Sequence, residues 1–183
     1  MEMAQLNAKV RTAVGKGGAR KARAGGMVPG VMYGNGMEAV SLLINPTEIV
    51  TLLRKSTRGR NTLISVGIDG MGNRTALLRE IQINPLTRQT LHVDLFNVDM
   101  ATPVRIKVPV KLDGKAEGVK AGGLLEPLCH SIEVECLPGD IPDAIHADVS
   151  ALDRGDRLQI KDVVMPAGIK AIYRTSFALA AVH

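Results

Sequence analysis

The sequence predicts a mainly β chain with short helices, an α+β protein in two domains, and three observations carry that prediction. Apolar residues recur at every second position in segments such as LHVDLF and VRIKVPVKL, the period of a half-buried strand. With 45% hydrophobic residues but only two Tyr, two Phe and no Trp, the cores must be built from Val, Ile, Leu, Ala and Met, a composition that suits β-structure with small helices. Charge is unevenly divided: residues 1–100 hold 13 Lys/Arg and 7 Asp/Glu, a net of +6, whereas residues 101–183 hold 10 and 11, a net of −1. The chain's +5 therefore belongs to its first half, which points to a polyanionic partner for residues 1–100 and another task for residues 101–183.

Residues 3–10 alternate as a first strand, followed by a basic Gly-rich loop, a turn or short helix at ARKARA, and a strand after Pro29 that ends at Tyr33. Residues 40–44 read as another strand. Asn45-Pro46-Thr47-Glu48 is a helix start, with Asn as N-cap, Pro at the first helical position and Glu three residues after the cap. Ile49, Val50, Leu52 and Leu53 supply that helix's apolar stripe, and its cationic end at Arg54-Lys55 and Arg58-Gly59-Arg60 suits the negative end of the helix dipole and reads as a solvated terminus in preference to a second RNA contact. Residues 63–68 and 76–83 form a hairpin around Asp69-Gly70-Met71-Gly72-Asn73, and a loop over 84–88 leads to the strand 91–96. Thr102-Pro103 marks the domain boundary. Beyond it, VRIKVPVKL, LCHSIEVECL, AIHADVS and FALAAV read as strands, GKAEGVKAGG as a loop and PGDIPD as a turn-rich connector.

Cys129 and Cys136 lie seven apart in a strand region, which sets them on opposite faces, so they are expected as reduced structural thiols of a cytosolic protein. No third or fourth ligand completes a metal set, and no metal or cofactor is expected. The N-terminus lacks an apolar signal core and no run approaches the ~18 apolar residues of a membrane span, so a soluble intracellular protein without a membrane partner is expected.

The densest chemical signal is residues 9–34. Lys9, Arg11, Lys16, Arg20, Lys21 and Arg23 fall there, and no Asp or Glu occurs between Glu2 and Glu38. Such a run is either a solvated arm or a seat for a polyanion, above all nucleic acid. Gly15, Gly17 and Gly18 offer positive φ and close approach to phosphate, ARKARA can present Arg20, Lys21 and Arg23 together, and Tyr33 offers a ring to a base or sugar.

Enzyme signatures are missing. Gly15-Lys16 has Val10 and Gly17 where a phosphate-binding P-loop needs Gly and Ser/Thr, and Gly34-Asn35-Gly36 precedes a strand where a dinucleotide site needs a helix. Ser65 in LISVG has only the trailing Gly of a nucleophile elbow. His92 and Asp94, at i and i+2 of a strand, share one face. No nucleophile or further ligand accompanies them, which leaves RNA contact and plain solvent-facing polarity as their two main readings. In the first, Asp94 can also fix a nearby Arg.

GKGGARKARAGGMVPGVMYG and EIQINPLTRQTLHVDLF resemble the bacterial family of large-subunit ribosomal protein number twenty-five, which binds 5S ribosomal RNA. GVKAGGLLEPLCHSIEVECLPGDIPDAIHADVSALDRGDRLQIKDV resembles the added domain of its long form, the general stress protein Ctc family. The resemblance implies an N-terminal six-stranded β-barrel (residues 1–100) that docks on the loop E region of 5S rRNA through its shallow minor groove. It also implies a mainly β C-terminal domain (residues 101–183) in the central protuberance, facing neighbouring proteins or 23S rRNA. Carried over by position, the RNA contacts are Arg11, Lys16, Arg20, Arg23, Tyr33, His92 and Asp94. Lys21 stands where other members often carry Arg, and Ala19 where some carry Ser. The expected protein is thus a non-enzymatic constituent of cytoplasmic ribosomes with no small-molecule substrate. The rival binding module is a free tRNA-binding or stress-related RNA-binding protein, since the implied barrel also resembles anticodon-binding barrels of some aminoacyl-tRNA synthetases.

Overall fold

Alternating side chains give each N-terminal strand one apolar face, and six such faces close on one another. The computed structural model describes residues 4–56 and 61–183; Met3 and the Arg58-Gly59-Arg60 helix end lie outside the described residues. Its first unit, Met1–Thr102, contains β1 (Ala4–Val10), β2 (Val28–Gly34), β3 (Met37–Ile44), β4 (Leu63–Ile68), β5 (Gly72–Ile83) and β6 (Thr90–Asn97). These form the closed barrel β1-β3-β2-β6-β5-β4, mainly β with short helices as the sequence predicts. Two seams, β2 with β6 and β1 with β4, are parallel; the other four are antiparallel. Leu6, Met32, Leu42, Ile44, Val66, Val93 and Leu95 fill the interior, all essentially inaccessible. Full burial of such a side chain is worth about 1.5–3 kcal/mol, so aliphatics alone can hold this barrel.

The first helix is longer than ARKARA. It is α1 (Gly15–Ala24), so the glycine-rich stretch is helix rather than loop. Of its three early glycines only Gly15 takes a positive φ, +83°. Gly18 is needed for room instead, since a Cβ there would lie 2.4 Å from the Ala13 carbonyl oxygen. Strand β2 also starts before Pro29 rather than after it. Pro29 sits opposite Leu43 of β3, while pairing with β6 begins only at Gly30, so its missing N–H falls where that ladder has yet to start.

The second helix, α2 (Pro46–Lys55), begins as its sequence predicts, with Asn45 Oδ1 accepting the Thr47 N–H at 3.0 Å and Pro46 in the first turn. Glu48 reaches outside the helix, where its Oε2 accepts the Asn7 N–H of β1 at 3.1 Å. Ile49 and Leu52 complete the barrel core.

The second unit, Pro103–His183, has β7 (Val104–Asp113), α3 (Glu117–Lys120), β8 (Leu125–Pro127), β9 (Ser131–Cys136), β10 (Ile145–Asp148), β11 (Arg157–Gln159), β12 (Lys170–Ala171) and β13 (Ala178–Val182). They pair as a four-stranded sheet, β10-β7-β9-β12, and a three-stranded one, β11-β13-β8. GKAEGVKAGG is thus not all loop, since it holds α3, and PGDIPD opens with a 3-10 turn over Pro138–Asp140. Cys129 precedes β9 instead of lying in it, and its Sγ donates to the Ser131 carbonyl at 3.0 Å. Both thiols are free. Burial, and secondarily the Asp140 carboxylate, push the Cys136 thiol up from its ordinary pKa.

Two outcomes follow for the fold. Iodoacetamide near pH 8 should label the partly exposed Cys129 well before the buried Cys136, because the thiolate is the nucleophile and the Cys136 thiolate is disfavoured; peptide mapping after timed quenching reads this, and equal rates would contradict it. Gly30 closes the parallel seam, as an added Cβ would lie 2.8 Å from the Val93 carbonyl oxygen and 2.9 Å from Ile44 Cδ1. Gly30→Ala should therefore cost about 1–3 kcal/mol, the usual range for overpacking. Denaturant unfolding measures the loss, and an unchanged midpoint would mean that the seam is loose.

Candidate nucleic-acid interface

The alternation that turns Met32, Val93 and Leu95 into the barrel turns their neighbours out of it. Val31 and Tyr33 of β2 and His92, Asp94 and Phe96 of β6 share the outer face. The parallel register sets Val31 beside Asp94 and Tyr33 beside Phe96. The Tyr33 and Phe96 rings meet edge to face, with centroids 5.7 Å apart at 74°. Such a pair contributes about 0.5–1.5 kcal/mol beyond its burial and fixes the Tyr33 ring while leaving it half exposed. Gly34, at φ +123°, makes room for it: a Cβ would lie 2.7 Å from Phe96 Cε2.

His92 and Asp94 do share one face, and they touch. His92 Nδ1 lies 2.6 Å from Asp94 Oδ1, each side chain being 27% exposed. With the carboxylate ionised Nδ1 is the donor, which leaves Nε2 and the second carboxylate oxygen for an outside partner. No cluster of three or more His, Cys, Asp or Glu able to hold a metal occurs among the described residues. Across the β5–β6 seam Gln82 sits opposite His92 and Glu80 opposite Asp94, both exposed. Gln82 thus adds an amide donor and acceptor beside His92. Sequence reading missed it, because cross-strand register is not visible in periodicity.

The cations of α1 do not all act together. Spacing of i, i+4 and i+7 places Lys16, Arg20 and Arg23 in one stripe, whereas Lys21 falls roughly 100–160° around the helix axis from each of them. Arg20, Lys21 and Arg23 are therefore not presented as one group. Arg23 is anchored: its Nε donates to the Leu91 carbonyl at 3.1 Å, at the head of β6 and one residue before His92. Arg11 is half buried just past β1, its backbone N–H donating to the Ser41 carbonyl at 2.8 Å. Its Nε is buried with no hydrogen-bond partner in the free protein. An unmet buried donor costs about 1–3 kcal/mol, and an incoming acceptor that draws Arg11 outward relieves that cost. The face is thus a half-buried aromatic and a polar triad of Gln82, His92 and Asp94, with a cationic stripe whose last member is tied to it.

Comparison with known proteins agrees with the two-unit division of residues. Residues 6–95 match the model of the "Ribosomal L25p family" and residues 103–183 that of "Ribosomal protein TL5, C-terminal domain". Among curated proteins, the large ribosomal subunit protein bL25 of Geotalea uraniireducens is 41% identical over 173 residues, spanning 94% of this chain and 89% of the relative. The protein of the same name in Geobacter sulfurreducens is 36% identical over 184 residues, spanning 100% and 94%. That of Syntrophotalea carbinolica is 36% identical over 183 residues, spanning 100% and 88%.

The contact at 2.6 Å predicts that neutral His92 carries its proton on Nδ1, held there by Asp94. Long-range 15N–1H correlation spectra distinguish the two tautomers directly. Asp94→Asn should weaken that preference, and a ring that is mainly Nε2-protonated in the wild type would remove the contact.

Proposed function

The chain belongs to the bL25 family of large ribosomal subunit proteins, and from that membership we propose that it is a structural constituent of the large subunit whose barrel binds 5S rRNA within the central protuberance. Its place is the cytoplasmic ribosome and its role is in translation, without a catalytic step. The observation that carries the RNA reading is the tether of Arg23 to Leu91, which fixes the end of a cationic stripe beside the outward pair His92 and Asp94.

The two parts of the face do different work. Lys16, Arg20 and Arg23, with Arg11, capture the phosphate backbone, and the Tyr33 ring, His92, Asp94 and Gln82 meet sugars and base edges. In an A-form helix the major groove is deep and narrow while the minor groove is wide and shallow and displays 2′-hydroxyls, so a rigid, gently curved sheet face suits the minor groove. A neutral His92 offers Nε2 to a hydroxyl proton, and the second oxygen of Asp94 accepts another. These acceptors favour RNA over DNA. Residues 101–183, with a net charge of −1, serve contacts to neighbouring proteins or 23S rRNA.

Footprinting of the full chain on isolated 5S rRNA tests ligand and site together, and cosedimentation with large subunits through a high-salt wash separates a ribosomal constituent from a free RNA-binding protein. In titrations, Lys16→Ala and Arg23→Ala should each flatten the slope of log K against log salt by somewhat under about one unit. Lys21→Ala, on the other side of α1, should flatten it less. Tyr33→Ala and His92→Ala should lose affinity with little change in slope, because stacking and edge hydrogen bonds release few counterions. Identical slopes and affinities in all five would reduce residues 9–34 to a solvated surface.

A further inference from the structure

The end of α1, one side of α2 and the 84–89 loop enclose an open cleft of about 460 Å3, within the ~300–1,000 Å3 range of small-ligand sites. Arg23, Arg54 and Arg88 line it, no carboxylate does, and Met27, Val50 and Leu91 give it an apolar floor. Each arginine is placed by a different device. Arg23 spends Nε on the Leu91 carbonyl and keeps its terminal nitrogens. Arg54 stands one turn after Val50 on α2. Arg88 takes φ +59°, a region unfavourable to a side chain. It is held there by its N–H donating to the Asn84 carbonyl at 2.9 Å, in a turn where Asn84 Oδ1 accepts the Leu86 and Thr87 N–H groups at 2.9 and 3.2 Å. None of the three arginines pairs with an acidic side chain among the described residues. Three like charges around an apolar floor repel one another, and an anion with a flat apolar part answers both features.

We propose that this cleft is a second RNA site, which takes one unpaired nucleotide with its phosphate on Arg54 and Arg88 and its base on the Met27, Val50 and Leu91 floor. The proposal rests on the reading of the barrel as an RNA-binding module and extends it to a different strand. Paired RNA keeps its bases stacked inside the helix, so only a splayed nucleotide reaches such a floor. An acidic peptide would satisfy the guanidiniums but leave the floor unused. The cleft also continues the cationic stripe of α1 through Arg23, so a strand held there adjoins the β2–β6 face.

The test uses the full chain carrying Arg54→Ala and Arg88→Gly, the glycine being chosen because it accepts the positive φ that arginine takes here. Its probes are a labelled octa-adenylate, an abasic octamer, an oligoglutamate and isolated 5S rRNA. The wild type should bind octa-adenylate several-fold more tightly than the abasic strand, and the double variant should bind it at least about tenfold more weakly, since it loses both guanidiniums that hold the phosphate. His92→Ala should weaken octa-adenylate binding far less than the double variant does, while weakening 5S rRNA binding. Undiminished octa-adenylate binding by the double variant, equal binding of the abasic strand, an equal loss in His92→Ala, or displacement by oligoglutamate at matching concentration would each overturn the proposal. Absence of 5S rRNA binding with octa-adenylate binding intact would instead remove the 5S reading and leave the cleft standing.

Discussion

The parallel seam between β2 and β6 is the constraint from which both the core and the candidate interface follow. Parallel neighbours cannot be joined by a tight turn, so the chain must pass through β3, α2, β4 and β5 before β6 can settle beside β2. The closeness of that seam depends on Gly30, whose missing Cβ leaves space for the Val93 carbonyl and the Ile44 side chain. Once it is closed, Met32, Val93 and Leu95 are core and Tyr33, His92 and Asp94 are surface, in strict alternation. A register slip of one residue in β6 would bury the His92–Asp94 pair and expose Val93 and Leu95. Hydrophobic burial therefore specifies the polar face as firmly as it specifies the interior.

Much of this was legible in the residues, and the failures have physical causes. A strand such as β7 announces itself because one face is buried and the period of two is unbroken, with Val104, Ile106 and Val108 pointing inward. His92 and Asp94 could be put on one face from spacing alone. Helix α1 was partly hidden, because Gly17 and Gly18 read as loop on propensity while the close approach of Gly18 to Ala13 is a tertiary fact. The strands β8, β11 and β12, of three, three and two residues, are too short to display a period. Gln82 and the arginine cleft depend on register and on segments far apart in sequence, which periodicity does not carry.

Charge is arranged with equal economy. Between Glu2 and Glu38 there is no carboxylate, so the stripe on α1 has no neighbour in its own segment to neutralise it. On the face itself Asp94 is paired with His92, while Glu80, opposite Asp94 across the β5–β6 seam, is exposed. Arg23 belongs to both the face and the cleft, and its tether to Leu91 limits how far either can rearrange without the other. In the second unit Arg105 Nε donates to Glu135 Oε2 at 3.0 Å, so this cation is met within the unit itself.

The seams also impose an order on the making of the molecule. β1 finds its parallel partner only when residues 64–68 exist, and β6, the last strand of the barrel, must enter between β2 and β5. Loop-closure entropy must be met before those distant contacts return anything, so the barrel closes late and as a unit. A nascent chain that has not reached residue 97 carries every cation of α1 but none of the face that Tyr33, His92 and Asp94 form together. The charge of α1 is thus complete by residue 24, whereas the outward face of β2 and β6 exists only once the barrel has closed.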